Sequence, residues 1–150
     1  MIDYTNIMRF DIWREKWKNK DAMNLQQYIS FNVHPEDVLI IGSLMIPNFV
    51  EVENCIFLVD NFDEKLFKQL KINHNNEYVE KNINQIHVYD LFDNCRDKVD
   101  DNTFERLGKL LKISWSSYLL YLFPKRNIIV DLIINESEYG PIITVYQKYE

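Results

Sequence analysis

The chain has 150 residues, 47% of them hydrophobic and 27% charged, and its 17 basic and 23 acidic side chains give a formal net charge of −6. Three glycines and four prolines exclude a low-complexity or collagen-like chain, and the apolar content excludes a disordered one. The acidic balance argues against non-specific nucleic-acid binding.

At this length a single domain, residues 1–150, is expected to bury roughly two-thirds of its unfolded surface. No apolar run approaches the ~20 residues of a membrane span. Asp3, Arg9 and Asp11 interrupt the start of the chain, unlike a secretory signal. A cytoplasmic location is therefore expected, without a membrane or nucleic-acid partner. Cys55 and Cys95 match no zinc or CxxC spacing and are expected to be buried free thiols.

Within Ile2–Trp17, Ile7, Phe10, Trp13 and Trp17 align on one helical face. The interleaved Arg14, Lys16, Lys18 and Lys20 read as the solvated side of that helix rather than as a base-stacking surface. Asn24–Ile29 reads as a short helix or turn. His34-Pro35-Glu36-Asp37 has the chemistry of a helix start, with proline at the first position and acids in the first turn. His34 is expected to serve that turn. Val38, Leu39, Ile40, Ile41, Leu44 and Met45 make the helix almost wholly apolar and predict a central position, and Pro47 ends it.

Phe49–Glu53 and Cys55–Val59 predict two short strands about a Glu53-Asn54 turn. A helix follows from Phe62, with Leu66, Phe67 and Leu70 as its apolar side. After a polar break at Asn73–Asn76, Glu77–Phe92 predicts another helix. Asp93–Asn102 reads as an acidic linker.

From Thr103 to Phe123 the apolar residues Phe104, Leu107, Leu111, Trp115, Tyr118 and Leu122 recur at three- and four-residue steps, predicting a helix roughly 30 Å long. Asp100, Asp101 and Asn102 are its cap candidates, and Pro124 stops it. Ile128–Ile134 and Ile142–Gln147 predict an antiparallel pair of strands. Ile128, Val130, Leu132 and Ile134 should face the helices, and Ile129, Asp131 and Ile133 solvent or a partner. The fold class is α+β, a single domain with a mainly antiparallel, about four-stranded sheet packed against several helices.

No catalytic motif is present. The serines form no nucleophile elbow, and the glycines form no phosphate loop. No cofactor is expected. Glu80, Asn84, His87 and Asp90 are spaced to share a helical face. That face is the one candidate for a metal-dependent or acid/base hydrolase, although a single histidine falls short of a zinc motif. The alternative is a protein-binding surface of Asp131, Glu136, Glu138 and Tyr139, an acidic and aromatic group suited to a basic protein. Trp115 or Tyr146 would join it if exposed. A third reading is an oligomer-forming protein joined through the mixed sheet face.

Two stretches carry a resemblance. They are His34-Pro35-Glu36-Asp37 through Pro47-Asn48-Phe49-Val50-Glu51-Val52-Glu53, and Trp115 through Pro124 with the strands and Tyr139-Gly140-Pro141 beyond. Together they resemble small uncharacterised bacterial α+β proteins associated with toxin–immunity settings. The resemblance covers most of the chain after Asn32. It implies an immunity-type protein that binds a toxin, and it carries over no catalytic residue.

Overall fold

Side-chain caps delimit most of the helices. Asn24, Asp63, Asn75 and Asp100 each accept a hydrogen bond from a backbone N–H of the following turn, satisfying a donor that has no partner inside the helix. His34 Nδ1 accepts from Glu36 N while Asp37 accepts from His34 N, so this histidine does serve the helix start. The computed structural model describes residues 1–95, 97–135 and 139–149.

The helices are α1 (Met8–Arg14), α2 (Leu25–Asn32), α3 (Pro35–Met45), α4 (Glu64–Lys71), α5 (Asn76–Ile83) and α6 (Asp101–Leu122). The strands are β1 (Phe49–Val52), β2 (Cys55–Leu58), β3 (Ile86–His87), β4 (Ile128–Ile133) and β5 (Ile142–Gln147). Among the described residues every strand pairing is antiparallel, and the fold is α+β. Among the described residues no helix is long and apolar enough to cross a membrane. The chain divides into two compact units, Met1–Gly42 and Ser43–Glu150.

The first unit is held by aromatic side chains. Trp13 meets Tyr28 edge to face with ring centroids 5.2 Å apart, and Trp17 meets Phe31 at 5.2 Å. Phe10 stacks on Trp13 and carries the Arg14 guanidinium over its ring. The helix is shorter than its periodicity predicts, beginning at Met8. The expected apolar face is nevertheless the one that packs.

The boundary between the units falls within α3, and here the expectation fails. Val38, Leu39, Ile40 and Ile41 are all more than half exposed, Leu39 reaching 75%, and no residue of α3 is buried. Its end, Leu44 and Met45, belongs to the second unit and packs on that unit's core. Their carbonyls accept from Trp115 Nε1 and Ser114 Oγ. Apolar composition favours burial but does not compel it.

In the second unit β2 divides two cores, as strand alternation requires. Ile56 and Leu58 join Leu111, Trp115 and Leu119 of α6 with Val130, Ile143 and Val145. Cys55 and Phe57 join Phe67 of α4 with Val79 and Ile83 of α5. The strands thus lie between α6 on one side and α4 with α5 on the other. Gly108 lets α6 approach β4: a Cβ there would sit 2.8 Å from Leu132 Cδ1. The expected phase of β4 holds for Ile128, Val130 and Leu132, which face α6. Ile134 falls beyond the strand and is exposed.

The sheet differs from the expected four-stranded one. Among the described residues five strands form two sheets, β1-β2 and β3-β5-β4. The β1–β2 hairpin turns at Glu53-Asn54, both at positive φ, as the sequence suggests. Its outer edge does not pair with β5, because the side chains of Glu80 and Asn84 lie between them. Asn84 Oδ1 accepts from Leu58 N at 2.8 Å, and its Nδ2 donates both to Ile56 O at 2.8 Å and to Val145 O at 2.9 Å. Glu80 Oε1 accepts from Ile56 N at 2.7 Å and Gln147 Nε2 at 2.6 Å, and its Oε2 from Gln147 N at 2.7 Å. Both residues are 0% exposed.

Replacing Trp115 with alanine removes the largest fully buried side chain and its bond to Leu44, and is expected to cost about 3–5 kcal/mol. Leu39→Ala on exposed α3 is expected to cost less than about 0.5 kcal/mol. Urea denaturation of the two variants measures the contrast, and a large loss for Leu39→Ala would restore α3 to the core.

Candidate protein-binding surface

The candidate surface is built where β3, the start of β5 and the first turn of α6 meet. β3 pairs with β5 through Ile86–Ile143 and His87–Ile142, and Val88 N donates to Pro141 O. This short ladder delivers Tyr89 beneath the turn that enters β5. The ring of Tyr89 meets Phe104 of α6 at 4.5 Å and Tyr139 at 5.2 Å, edge to face in both cases. Gly140 adopts φ +71°, and a Cβ at that position would fall 2.8 Å from the Tyr89 ring. Conformation and space both demand glycine here.

Tyr89 Oη donates to Asp101 Oδ1 at 2.8 Å. That bond pushes the phenol above its ordinary pKa, with burial and the Asp101 charge adding to the effect, so the hydroxyl stays a donor. His87 Nδ1 lies 3.1 Å from Tyr139 O. The backbone of Tyr139 is thereby fixed while its side chain remains 62% exposed. An exposed ring on a fixed backbone, beside a carboxylate, can receive a cationic or apolar group with little loss of freedom.

Asp131 lies on β4 opposite Thr144, half-exposed on the face away from α6. The ladder ends two pairs further on, at Ile133–Ile142, and Tyr139 lies beyond it. Glu136 and Glu138 lie outside the described residues. Trp115 and Tyr146 are buried and contribute nothing to the surface. Tyr146 instead receives the Lys81 ammonium 4.0 Å from its ring centroid.

The predicted helical face of Glu80, Asn84, His87 and Asp90 does not form. α5 ends at Ile83 with Asn84 as its C-terminal cap, because the Asn84 side chain serves the strand edges and the chain then turns into β3. Glu80 and Asn84 are interior, His87 is in β3, and Asp90 begins a short 3₁₀ turn, Asp90–Phe92. Both Glu80 oxygens already accept N–H donors. Among the described residues no group of three or more His, Cys, Asp or Glu side chains is placed to hold a metal ion.

Of the thiols, Cys55 is buried and free, while Cys95 is free but exposed, contrary to expectation. Burial pushes the Cys55 thiol above its ordinary value, as befits an unreactive core cysteine. In the first unit Tyr4, Phe10, Asp11, Arg14, Glu15 and Lys20 are among the residues lining an open groove. Its ion pairs, Arg14 with Asp11 and Lys20 with Glu15, close on themselves.

Sequence reasoning missed Tyr89, Phe104 and Asp101 as the support of Tyr139. The signal available was Tyr139-Gly140-Pro141, a turn whose glycine permits both the positive φ and the close aromatic approach.

Glu80→Gln puts an amide N–H₂ where a carboxylate oxygen now accepts. It is expected to cost on the order of 2–3 kcal/mol, since a buried N–H then faces another donor. Glu77→Gln at the rim of α5 is expected to cost less, and urea midpoints of the two variants provide the comparison. No family model, curated protein or solved structure matches the chain.

Proposed function

We propose that this chain is a cytoplasmic protein-binding module whose acid-rich, tyrosine-bearing end receives a basic protein, in the manner of an immunity-type protein that holds a toxin. The observation that carries the reading is the distribution of charge. Positions 90–105 and 131–139 together contain nine acids and two bases, so the other positions hold fourteen acids and fifteen bases. The whole net negative charge resides in these two stretches, and Tyr89 touches one residue of each, Asp101 and Tyr139.

A concentrated field of one sign accelerates encounter with an oppositely charged protein. The exposed Tyr139 supplies the kind of rigid amphipathic anchor on which interface energy concentrates. The resemblance to proteins of toxin–immunity settings favours a toxin as the basic partner. The free thiols of Cys55 and Cys95 suit a reducing compartment.

A second reading, self-association, draws support from α3, where four successive apolar side chains are more than half exposed. A sedimentation profile that stays monomeric at high concentration removes it.

The principal test is affinity capture from the native cell with wild-type protein and the double variant Asp131→Lys/Tyr139→Ala. A basic protein is expected to be retained by wild type, released by raised salt, and held roughly tenfold more weakly by the variant. Glu36→Lys in the first unit is expected to leave capture unchanged. An immunity role further requires that the captured protein arrest growth when expressed alone and lose that effect when this chain is co-expressed. Retention by the double variant equal to wild type would refute the proposed surface.

A further inference from the structure

The hydrogen-bonding parity of β5 decides which groups of β4 are unpaired. Gln147 N and Val145 O bond to Glu80 and Asn84, and Pro141 O accepts from Val88 N. The odd-numbered residues of β5 therefore direct their backbone groups away from β4. Ile142, Thr144 and Tyr146 direct theirs toward it, where they face Ile133, Asp131 and Ile129. Backbone groups alternate along an antiparallel ladder, so those of Ile128, Val130 and Leu132 point outward from the edge. Strand order places β4 at that edge, and among the described residues no hydrogen bond to these outward groups is present.

Natural edge strands are usually protected by proline, lysine or a bulge. β4 reads Ile-Ile-Val-Asp-Leu-Ile and pairs with β5 in unbroken register. Its one polar side chain is Asp131, flanked on the same face by Ile129 and Ile133. An antiparallel strand added at this edge would stand opposite these three residues at the non-hydrogen-bonded positions, where side chains approach most closely.

Two copies of β4 fit this edge poorly. The symmetric registers that keep most of the strand paired set the two Asp131 carboxylates directly opposite or diagonal to each other, and like charges in that arrangement repel. An incoming strand with a cation at the central position, between two apolar residues of the same face, meets no such penalty.

We infer that β4 is a docking edge for an extended segment of the basic partner, added antiparallel, with a lysine or arginine opposite Asp131 and apolar side chains opposite Ile129 and Ile133. This inference rests on the proposed protein-binding role and specifies how the partner is held. Backbone bonds to Ile128, Val130 and Leu132 supply affinity, and Asp131 selects the cationic segment.

The test uses the full chain and three synthetic peptides of alternating threonine and valine. In the first, the central residue of the valine phase is lysine. In the second it is glutamate. The third is the lysine peptide N-methylated on its edge-facing amides. The lysine peptide is expected to bind and to slow hydrogen exchange at Ile128, Val130 and Leu132. The glutamate peptide is expected to bind roughly tenfold more weakly, and Asp131→Lys to reverse the preference. N-methylation is expected to abolish binding.

No binding at millimolar lysine peptide overturns the docking edge. So does binding that survives N-methylation or leaves the three amides unprotected. Protection that grows with protein concentration alone, together with dimer formation, overturns the choice of occupant in favour of a second copy. Capture of a basic protein that remains sensitive to Tyr139→Ala after any of these failures leaves the acidic surface standing and removes only strand addition. Loss of that capture as well removes both.

Discussion

Three buried side chains, Glu80, Asn84 and Gln147, hold the two sheets of the second unit to each other. A carboxylate taken out of water is tolerable only when its oxygens are satisfied, and the two oxygens of Glu80 accept three N–H groups. Asn84 uses both ends of its amide, presenting to β2 the donor and acceptor that a neighbouring strand would have presented. The two sheets are therefore one layer interrupted by a polar seam. Apolar residues at these positions would leave the backbone groups of Ile56, Leu58, Val145 and Gln147 without partners inside the protein.

The seam also positions the candidate surface. Because Asn84 is held between the strands, α5 stops there and the chain enters β3, which pairs with β5 and brings Tyr89 under Tyr139. The Tyr139 carbonyl is then held by His87, its ring meets the Tyr89 ring, and the next residue, Gly140, lies against that same ring. On the other side of the same sheet, α6 seats Trp115 and Leu119 against β4 and β5, so the ladder that carries Asp131 is backed by a buried apolar cluster.

Where local chemistry dominates, the sequence was legible. The long helix from its three-four periodicity, its cap at Asp100, the Glu53-Asn54 turn and the antiparallel β4–β5 pair all follow from neighbouring residues. Two readings went astray for a common reason. Glu80 and Asn84 are spaced like a solvated helix face and yet are wholly buried, since nothing in a helix period says whether a polar side chain faces water or a strand edge. Val38–Ile41 are apolar in succession and yet exposed, since four consecutive helical residues point nearly all around the axis. Of the candidate surface, Asp131 and Tyr139 were visible as types in a pattern. Their support by Tyr89, Phe104 and Asp101 was not, because those contacts join residues of different elements, up to 50 positions apart in the case of Tyr89 and Tyr139.

The Glu53-Asn54 turn has a bearing on how the molecule is made. Asn54 O accepts from Gln147 Nε2 and from the Tyr149 hydroxyl, and the same glutamine completes the shell around Glu80. During synthesis the hairpin and α5 leave the ribosome long before residue 147 does. Until then Glu80 has only part of its final set of donors and must keep water as a ligand. The interior of the second unit therefore closes only once β5 has been made and has delivered Gln147 to Glu80 and Asn54.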